Sequence, residues 1–151
     1  MKDLIIKNIA DIEGHVMGPA GSSPINKPVV AGDDVDTCAA AFVEIPVGTA
    51  AVGYHYHDQC EEIFYIVSGS GKMRCIDGEK DIRAGDMLCF PTGEKGGHVL
   101  INTSDSEPLV YIDFGVKAAK LDIVVFPETN SMMVMGTHVK GMFDMTAKTG
   151  W

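Results

Sequence analysis

The chain has 151 residues, with 12 Lys and Arg against 21 Asp and Glu, so its formal net charge at neutral pH is −9. This length corresponds to one domain and excludes TIM barrels and large multidomain enzymes. The acidic balance argues against nucleic-acid or anionic-membrane partners, because both are bound through clustered Lys and Arg. No segment has the roughly 20 apolar residues of a membrane-spanning helix.

The N-terminus and the cysteines indicate the compartment. The first apolar run is interrupted at Lys7 and Asp11, so it lacks the apolar region of a secretory signal. The four cysteines form no C-x-x-C pair, and without a secretory signal an even number does not indicate disulfides. We therefore expect reduced thiols and a cytoplasmic protein.

The first 36 residues differ from the rest of the chain. They contain turn-rich segments at Gly18–Pro24 and Gly32–Asp34. This composition predicts an irregular N-terminal arm over residues 1–36 that packs on the main body and contains one short strand at most. Residues 37–151 are predicted to form the domain itself.

From residue 38 onward the sequence is typical of short strands separated by turns. Most of these runs are rich in β-branched or aromatic residues and are bounded by Gly, Pro, Asp or Ser. No run of 12 or more residues has helical spacing, so an all-β sandwich or barrel is predicted. The predicted strands are Ala40–Val47, Val52–His57, Glu62–Gly69, Lys72–Ile76, Lys80–Ala84, Met87–Pro91, His98–Asn102, Leu109–Phe114 and Asp122–Phe126.

Four residues in two of these regions have the chemistry of a metal site. His55 and His57 are two apart on a predicted strand, so their imidazoles point to the same side. A turn through residues 58–61 could bring Glu62 back beside them, and His98 begins a later strand. Three imidazoles and one carboxylate suit a divalent transition metal, because the carboxylate cancels part of the ion's charge.

Each of these residues also has a plainer explanation when it is taken alone. An H-x-H pair occurs on exposed edge strands, and Glu61–Glu62 alone would more often be a solvated charge pair. His98 alone would more often be a turn or core histidine with its polar atoms satisfied. The joint spacing is what favours a site.

That spacing resembles the two motifs of the cupin family. In the first motif a Gly is followed by H-x-H, a Glu and a second Gly, and Gly48, His55, His57, Glu62 and Gly69 stand in this order. The gap between Gly48 and His55 is six residues where the motif has five.

The second cupin motif is matched by a further set of residues. The gap between the second Gly of its Pro-x-Gly and the His is four residues where two are usual, and the matching residues are Gly85, Pro91, Gly93, His98 and Asn102. The two loop lengths are the only departures, and all four ligand types are present.

The resemblance implies an antiparallel jelly-roll barrel of six to eight strands. It also implies a divalent metal near the wider mouth, bound by His55, His57, Glu62 and His98. The ion could be Fe, Mn, Ni or Zn, since these ligands accept several divalent ions. By strand alternation, we expect the surrounding pocket to contain Phe64, Ile66, Leu100 and Asn102, with Asn102 as a hydrogen-bond partner behind the ligands.

Two functions remain open at this point. The first is a metal-dependent enzyme acting on a small molecule, of the oxygenase, isomerase or decarboxylase type. The second is a cupin that binds or senses a small ligand without turnover, since a fold does not determine a function. A DNA-binding regulator is excluded by the short length and the acidic charge.

Three further expectations concern individual features. Cys60 lies between His57 and Glu62 and is either a redox-active neighbour or, more simply, a small apolar residue that fills the turn. No inward Arg is found to clamp a substrate carboxylate or phosphate. Strands with apolar outer faces favour a homodimer.

Overall fold

A computed structural model describes residues 3–18, 21, 23–30, 34, 36–116, 121–136 and 138–147. These residues form thirteen strands, and every strand pair is antiparallel. The strands are β1 (His15–Val16), β2 (Ile25–Val30), β3 (Cys38–Ile45), β4 (Tyr56–His57), β5 (Glu62–Ser68), β6 (Ser70–Cys75), β7 (Gly78–Arg83), β8 (Met87–Phe90), β9 (His98–Ile101), β10 (Leu109–Val116), β11 (Leu121–Phe126), β12 (Ser131–Gly136) and β13 (Lys140–Asp144). Short 3₁₀ helices lie at Ile9–Asp11, Glu94–Gly96 and Pro127–Thr129.

The strands form three sheets. The first has the order β1-β2-β3-β10-β5-β8, the second β13-β12-β11-β4, and the third β7-β6-β9. The order departs from the order along the chain, as it does in a jelly roll, because β10 lies between β3 and β5. The prediction of an all-β antiparallel jelly-roll barrel is confirmed. Within the described ranges, no helix has the length and apolar character needed to cross a membrane.

The hydrophobic core lies between the six-stranded and the three-stranded sheets. Alternation on β5 buries Glu62, Phe64 and Ile66 and exposes Ile63 and Tyr65. The period of two therefore separates an inner face from an outer face on this strand, as the sequence pattern indicates. The core residues are Val43, Ile45, Phe64, Ile66, Met73, Ile82, Phe90, Leu100, Leu109 and Tyr111.

The N-terminal arm is more regular than expected. It contributes two strands where the sequence predicted one at most, and β2 pairs with β3 along its length. This pairing places Asn26 opposite Val43, which is a core residue. β2 escapes prediction because it contains Asn26, Lys27 and Pro28, three residues that are uncommon in strands. Parts of the two turn-rich segments, at 19, 20, 22, 32 and 33, lie outside the described residues.

The predicted β strands are confirmed with shifts of a few residues at their ends, except Val52–His57. The region 52–57 contains only the two-residue strand β4, although His55 makes an isolated bridge just before it. β12 and β13 are missed by the sequence patterns. Met is not a strong strand former, and β12 contains three Met residues. β13 contains Lys, Gly and Asp, which are uncommon in strands.

A glycine is required at the turn between β5 and β6. Gly69 has φ 81°, and a Cβ atom built there would lie 2.5 Å from the carbonyl oxygen of Pro108. Because of the left-handed backbone and this close approach, any residue other than glycine would cost considerable free energy at this position. Gly85, which matches the second motif, also has a positive φ, of 95°, in the turn between β7 and β8.

Candidate metal centre

The backbone brings His55 and His98 together. The two residues form an isolated antiparallel bridge, with His55 N donating to His98 O at 3.1 Å and His98 N donating to His55 O at 2.9 Å. Their rings lie 4.8 Å apart between centroids. Glu62 begins β5 after the turn from β4, and it reaches the same place. One ligand atom from each of His55, Glu62 and His98 lies within 4.8 Å of the others.

Backbone carbonyls determine which nitrogen of each imidazole faces the cluster. His55 Nδ1 lies 2.8 Å from Gly53 O, and His98 Nδ1 lies 2.9 Å from Gly96 O. A carbonyl oxygen can only accept, so each Nδ1 carries the proton and each Nε2 presents a lone pair. This is the tautomer that a metal ligand needs.

His57 is held by a buried carboxylate that the sequence analysis missed. Its Nδ1 donates to Asp122 Oδ2 at 2.5 Å, and Asp122 is 1% exposed. His57 Nε2 lies 3.3 Å from Glu62 Oε1, although His57 stands outside the tight three-residue cluster. Asp122 also accepts a hydrogen bond from the backbone of Gln59, which anchors the turn before Glu62. A carboxylate behind a histidine is a common support for a metal ligand.

The charges of these groups are arranged around Glu62. Burial alone would lower the pKa of His57, but the hydrogen bonds and charges of Glu62 and Asp122 outweigh it and raise that pKa to about 9. Burial lowers the pKa of His98 to about 4, and it also lowers the pKa of His55. Burial acts to raise the pKa of Glu62, but the hydrogen bond with His57 prevails and the pKa is lowered. At neutral pH Glu62 is therefore a carboxylate and His98 is neutral.

The donor set passes a simple test for a cation. Glu62 Oε2 and His98 Nε2 are buried without a hydrogen-bond partner among the described residues. Two such atoms, 3.6 Å apart, would each cost free energy if they were left unsatisfied. A divalent ion between them would satisfy a lone pair on each. The residues present thus fit a metal of the kind that N and O ligands bind.

Aromatic rings surround the histidines. The His98 ring stacks on Phe90 with a centroid distance of 3.6 Å and an interplanar angle of 16°. Phe64 meets the same imidazole edge to face at 5.3 Å, and Phe126 stacks on His55 at 5.4 Å. These contacts restrict both rings and give the cluster an apolar wall.

A cavity of about 140 Å³ opens beside the cluster. Phe64 and Leu100 line it, as expected from strand alternation. Ile66 is fully buried in the core and does not line this cavity. Asp113, which no sequence pattern indicated as a site residue, lines it as well.

Asn102 has a different place from the one expected. Its Nδ2 donates to the carbonyl oxygens of Ile45 and Glu107, both at 2.9 Å, and its Oδ1 accepts from Ser104 N. These bonds use both donors and the acceptor of the amide to connect the end of β3 with the loop between β9 and β10. Asn102 is thus a buried support for the loop after β9 and makes no bond to the ligand histidines.

Neither the cysteines nor the two basic residues of β6 contribute a ligand atom to the cluster. None of the four cysteines is in a disulfide, and Cys60 is buried in the turn before β5. Lys72 and Arg74 point outward, where they pair with Glu79 and Glu128.

Fold and cluster together define a class: an all-β jelly-roll domain with a His and Glu cluster that lines an internal cavity. The chain belongs to the cupin superfamily, since a sequence model of the cupin domain matches residues 41–115. No curated protein matches the sequence.

Solved structures share this fold. A candidate sugar phosphate isomerase from Acidithiobacillus ferrooxidans is 24% identical, with a TM-score of 0.76 over 93% of this chain and 89% of that one. A cupin-superfamily sugar phosphate isomerase from Silicibacter pomeroyi is 17% identical, with a TM-score of 0.79 over 93% and 92%. A predicted oxalate decarboxylase from Thermotoga maritima is 21% identical, with a TM-score of 0.65 over 77% and 100%. At these identities the likeness shows the fold alone.

Proposed function

We propose that this protein is a divalent-metal-dependent enzyme that acts on a small molecule. The observation that carries this proposal is the pair of buried, unpartnered ligand atoms, Glu62 Oε2 and His98 Nε2. His55 would be the third ligand, and His57, through its Nε2, the fourth. The bound ion would act as a Lewis acid toward a substrate oxygen, or as a site for oxygen chemistry if it is iron.

The residues around the cluster would position and protect the reacting group. Asp122 would hold His57 in one orientation, and the carbonyls of Gly53 and Gly96 would do the same for His55 and His98. The rings of Phe64 and Phe90 would restrict water near His98, which strengthens electrostatic interactions inside the cavity.

The reaction type is proposed at the level of a class: isomerase, decarboxylase or oxygenase. Two of the similar structures are described as sugar phosphate isomerases and one as a predicted oxalate decarboxylase, so these reactions come first in an assay. Oxygen consumption in the presence of Fe(II) tests the third class. A cupin that only binds a small ligand is the alternative, which the small cavity, lined in part by apolar side chains, favours.

Metal binding is the first test. The protein is purified without chelator, loaded with Mn²⁺, Fe²⁺, Ni²⁺ or Zn²⁺, and analysed for bound metal. We expect about one ion per chain, lost in Glu62→Gln and His98→Ala. The matched controls, Glu61→Gln and His138→Ala, change exposed residues of the same types and should retain the ion. A wild-type chain that holds none of these ions would contradict the proposal.

Turnover separates the enzyme from the binding protein. The loaded protein is incubated with sugar phosphates, free sugars and oxalate, and the products are identified by mass spectrometry. Conversion that disappears in Glu62→Gln supports the enzyme. A small molecule that copurifies unchanged and is not converted supports the alternative.

We also propose a homodimer formed through the outer face of the six-stranded sheet. Ile63 and Phe114 are opposite one another on β5 and β10, and Tyr65 is opposite Met87 on β8. These side chains are 37–64% exposed, and they form a continuous apolar surface. A light-scattering mass equal to one chain would contradict this. Cysteines outside disulfides are expected in the cytoplasm, which we propose as the compartment.

A further inference from the structure

One buried polar atom near the cluster remains without a role after the metal has been considered. Three buried side-chain atoms lack a hydrogen-bond partner among the described residues: Glu62 Oε2, His98 Nε2 and Asp113 Oδ1. The first two belong to the tight cluster, and Asp113 does not. A metal held by the cluster thus accounts for two of them and leaves the carboxyl oxygen of Asp113 to another partner. Burying such an atom without one is costly, so a third group should meet it.

The position of Asp113 indicates where that group would lie. Asp113 and Glu62 line both the cavity beside the cluster and a second cavity of about 210 Å³. Asn26, from the N-terminal arm, lines both as well. The two spaces therefore adjoin along one polar wall that starts at the cluster.

Small side chains make room along this wall. Asp113 is paired with Ala41, and Gly115 with Ala39, on β10 and β3. A Cβ atom built on Gly115 would meet only the Asp113 carboxylate, at 4.0 Å. Further along the same face, the bulky Tyr111 fills the core. The inner face of β10 thus changes from packed to open at Asp113.

The chemistry of the wall selects the ligand. An amide offers donors and an acceptor, and a carboxyl group binds hydroxyls well. Among the described residues that line the two cavities, none is Lys or Arg. Away from the metal, a phosphate or carboxylate placed against Asp113 would meet like charge, and no Lys or Arg among these lining residues would pair it. A neutral molecule with several hydroxyl groups meets no such penalty.

We propose that Asp113 and Asn26 form the substrate-binding wall of this site, and that they hydrogen-bond hydroxyl groups of a neutral sugar or polyol whose other end reaches the His55–Glu62–His98 cluster. The inference rests on the proposed function, because the far end of the ligand is held by the metal. It assigns the substrate class and makes the N-terminal arm part of the site.

Calorimetric binding to the Mn²⁺-loaded full chain tests this wall. The probes are D-ribose, D-xylose, D-fructose and ribitol, with D-ribose 5-phosphate as the charged counterpart and oxalate as a probe that needs only the metal. We expect at least one neutral probe to bind more tightly than the phosphate ester. Asp113→Ala should weaken that probe at least tenfold and leave Mn²⁺ content and oxalate binding at or above their wild-type values.

A second variant tests the space and keeps the carboxyl group. Gly115→Val fills the opening beside Asp113 without striking another group at its Cβ, so the fold should tolerate it. We expect the same loss of the neutral probe, again with Mn²⁺ retained. The matched controls are Asp105→Ala in an exposed loop and Gly141→Val on β13, both of which should bind like the wild type.

The outcomes separate this inference from the proposed function. If Mn²⁺ and oxalate bind but no neutral probe does, or if Asp113→Ala and Gly115→Val leave its affinity unchanged, the inference is wrong and the metal site stands. A crystal structure with the tightest probe that shows only water at Asp113 also overturns it. If the wild type takes up no metal at all, the proposed function fails, and the inference fails with it.

Discussion

His55 and His98 exchange two backbone hydrogen bonds, so their side chains project from adjacent points of one bridge. The bridge links residues 43 positions apart, which explains how two separate motifs produce one cluster. The bridge places the two residues side by side, but it does not orient their imidazole rings. Each is oriented by its own nearby carbonyl, of Gly53 or Gly96. The third histidine, His57, is different, because it is oriented by the carboxylate of Asp122, which is distant in sequence.

Replacing that carboxylate should weaken metal binding without destroying it. In Asp122→Asn, the side chain keeps its shape and loses the charge that orients His57 and increases its basicity. Loss of such a support typically costs 10- to 100-fold in metal affinity. We expect Kd for Zn²⁺ or Mn²⁺, measured by competition with a chromophoric chelator, to rise by about this factor.

The matched control is Asp105→Asn, which changes an exposed aspartate in the loop between β9 and β10. It should leave the affinity unchanged. An unaltered Kd in Asp122→Asn, with the fold intact by circular dichroism, would mean that His57 is not a ligand that needs this support.

Proton release on metal binding should show whether His57 is the fourth ligand. Its pKa is raised to about 9, so at pH 7.5 the metal-free protein holds it as an imidazolium. His98, with a pKa lowered to about 4, and Glu62 are already deprotonated. Ligation by His57 Nε2 must displace a proton, whereas ligation by the other three displaces none. We therefore expect about one proton to be released per ion bound.

The measurement is calorimetric titration at pH 7.5 in two buffers with different ionisation enthalpies, which gives the number of protons released. His57→Gln should bind more weakly and release close to none. If the wild type also releases close to none, the cluster of His55, Glu62 and His98 acts alone.

The motifs made the candidate ligands, the histidines and Glu62, predictable, but not the residues behind them. A metal requires particular atoms at a particular spacing, and this leaves a local pattern in the sequence. Asp122 and Asp113 come from β11 and β10. His57, which Asp122 binds, and Glu62, which lines the same cavity as Asp113, lie about 50 or more residues earlier. The available signal was a carboxylate at an inward position of an apolar strand. Asp113 follows Leu109 and Tyr111 at this spacing, and Asp122 shares the buried parity of Val124.

Asn102 shows that a residue can match a motif and still have neighbours other than those the motif suggests. Its spacing from His98 matched a motif, but spacing alone does not tell whether an amide faces the ligands or the backbone. In the structure it joins the end of β3 to the loop between β9 and β10. The arm was underestimated for a related reason, since β2 is stabilised by its pairing with β3 and not by the propensity of its own residues.

Gly69→Ala should destabilise the fold more than a typical surface change. The residue has φ 81°, and its Cβ would press on the carbonyl of Pro108. We expect a loss of about 1–3 kcal/mol in the free energy of unfolding, which covers the strain of a left-handed non-glycine residue. Urea denaturation measures this. Gly141→Ala, where a Cβ atom meets only ordinary contacts, should change it much less.

Asp113→Asn should stabilise the metal-free protein, and more so at high pH. Burial raises the pKa of Asp113 to about 7, with help from the charge of Glu62. The folded state therefore holds the proton more tightly than the unfolded state, and the wild type loses stability as the pH rises from about 4 to about 7. The isosteric amide does not ionise, so the variant lacks this loss. A shift of this size corresponds to at most about 4 kcal/mol, and we expect a gain of roughly 1–3 kcal/mol at pH 8.

The profile against pH distinguishes this effect from simple repacking. The difference in free energy of unfolding between Asp113→Asn and the wild type, measured with chelator present, should be small at pH 4, grow up to about pH 7 and then level off. A difference that is constant from pH 4 to pH 8 would mean that the carboxyl group is not strained by its burial. A buried, unpartnered carboxylate that lowers the stability of the folded protein is what we expect of a binding residue, since sites often sacrifice stability for function. The same variant should therefore be more stable and bind the neutral sugar probe less well.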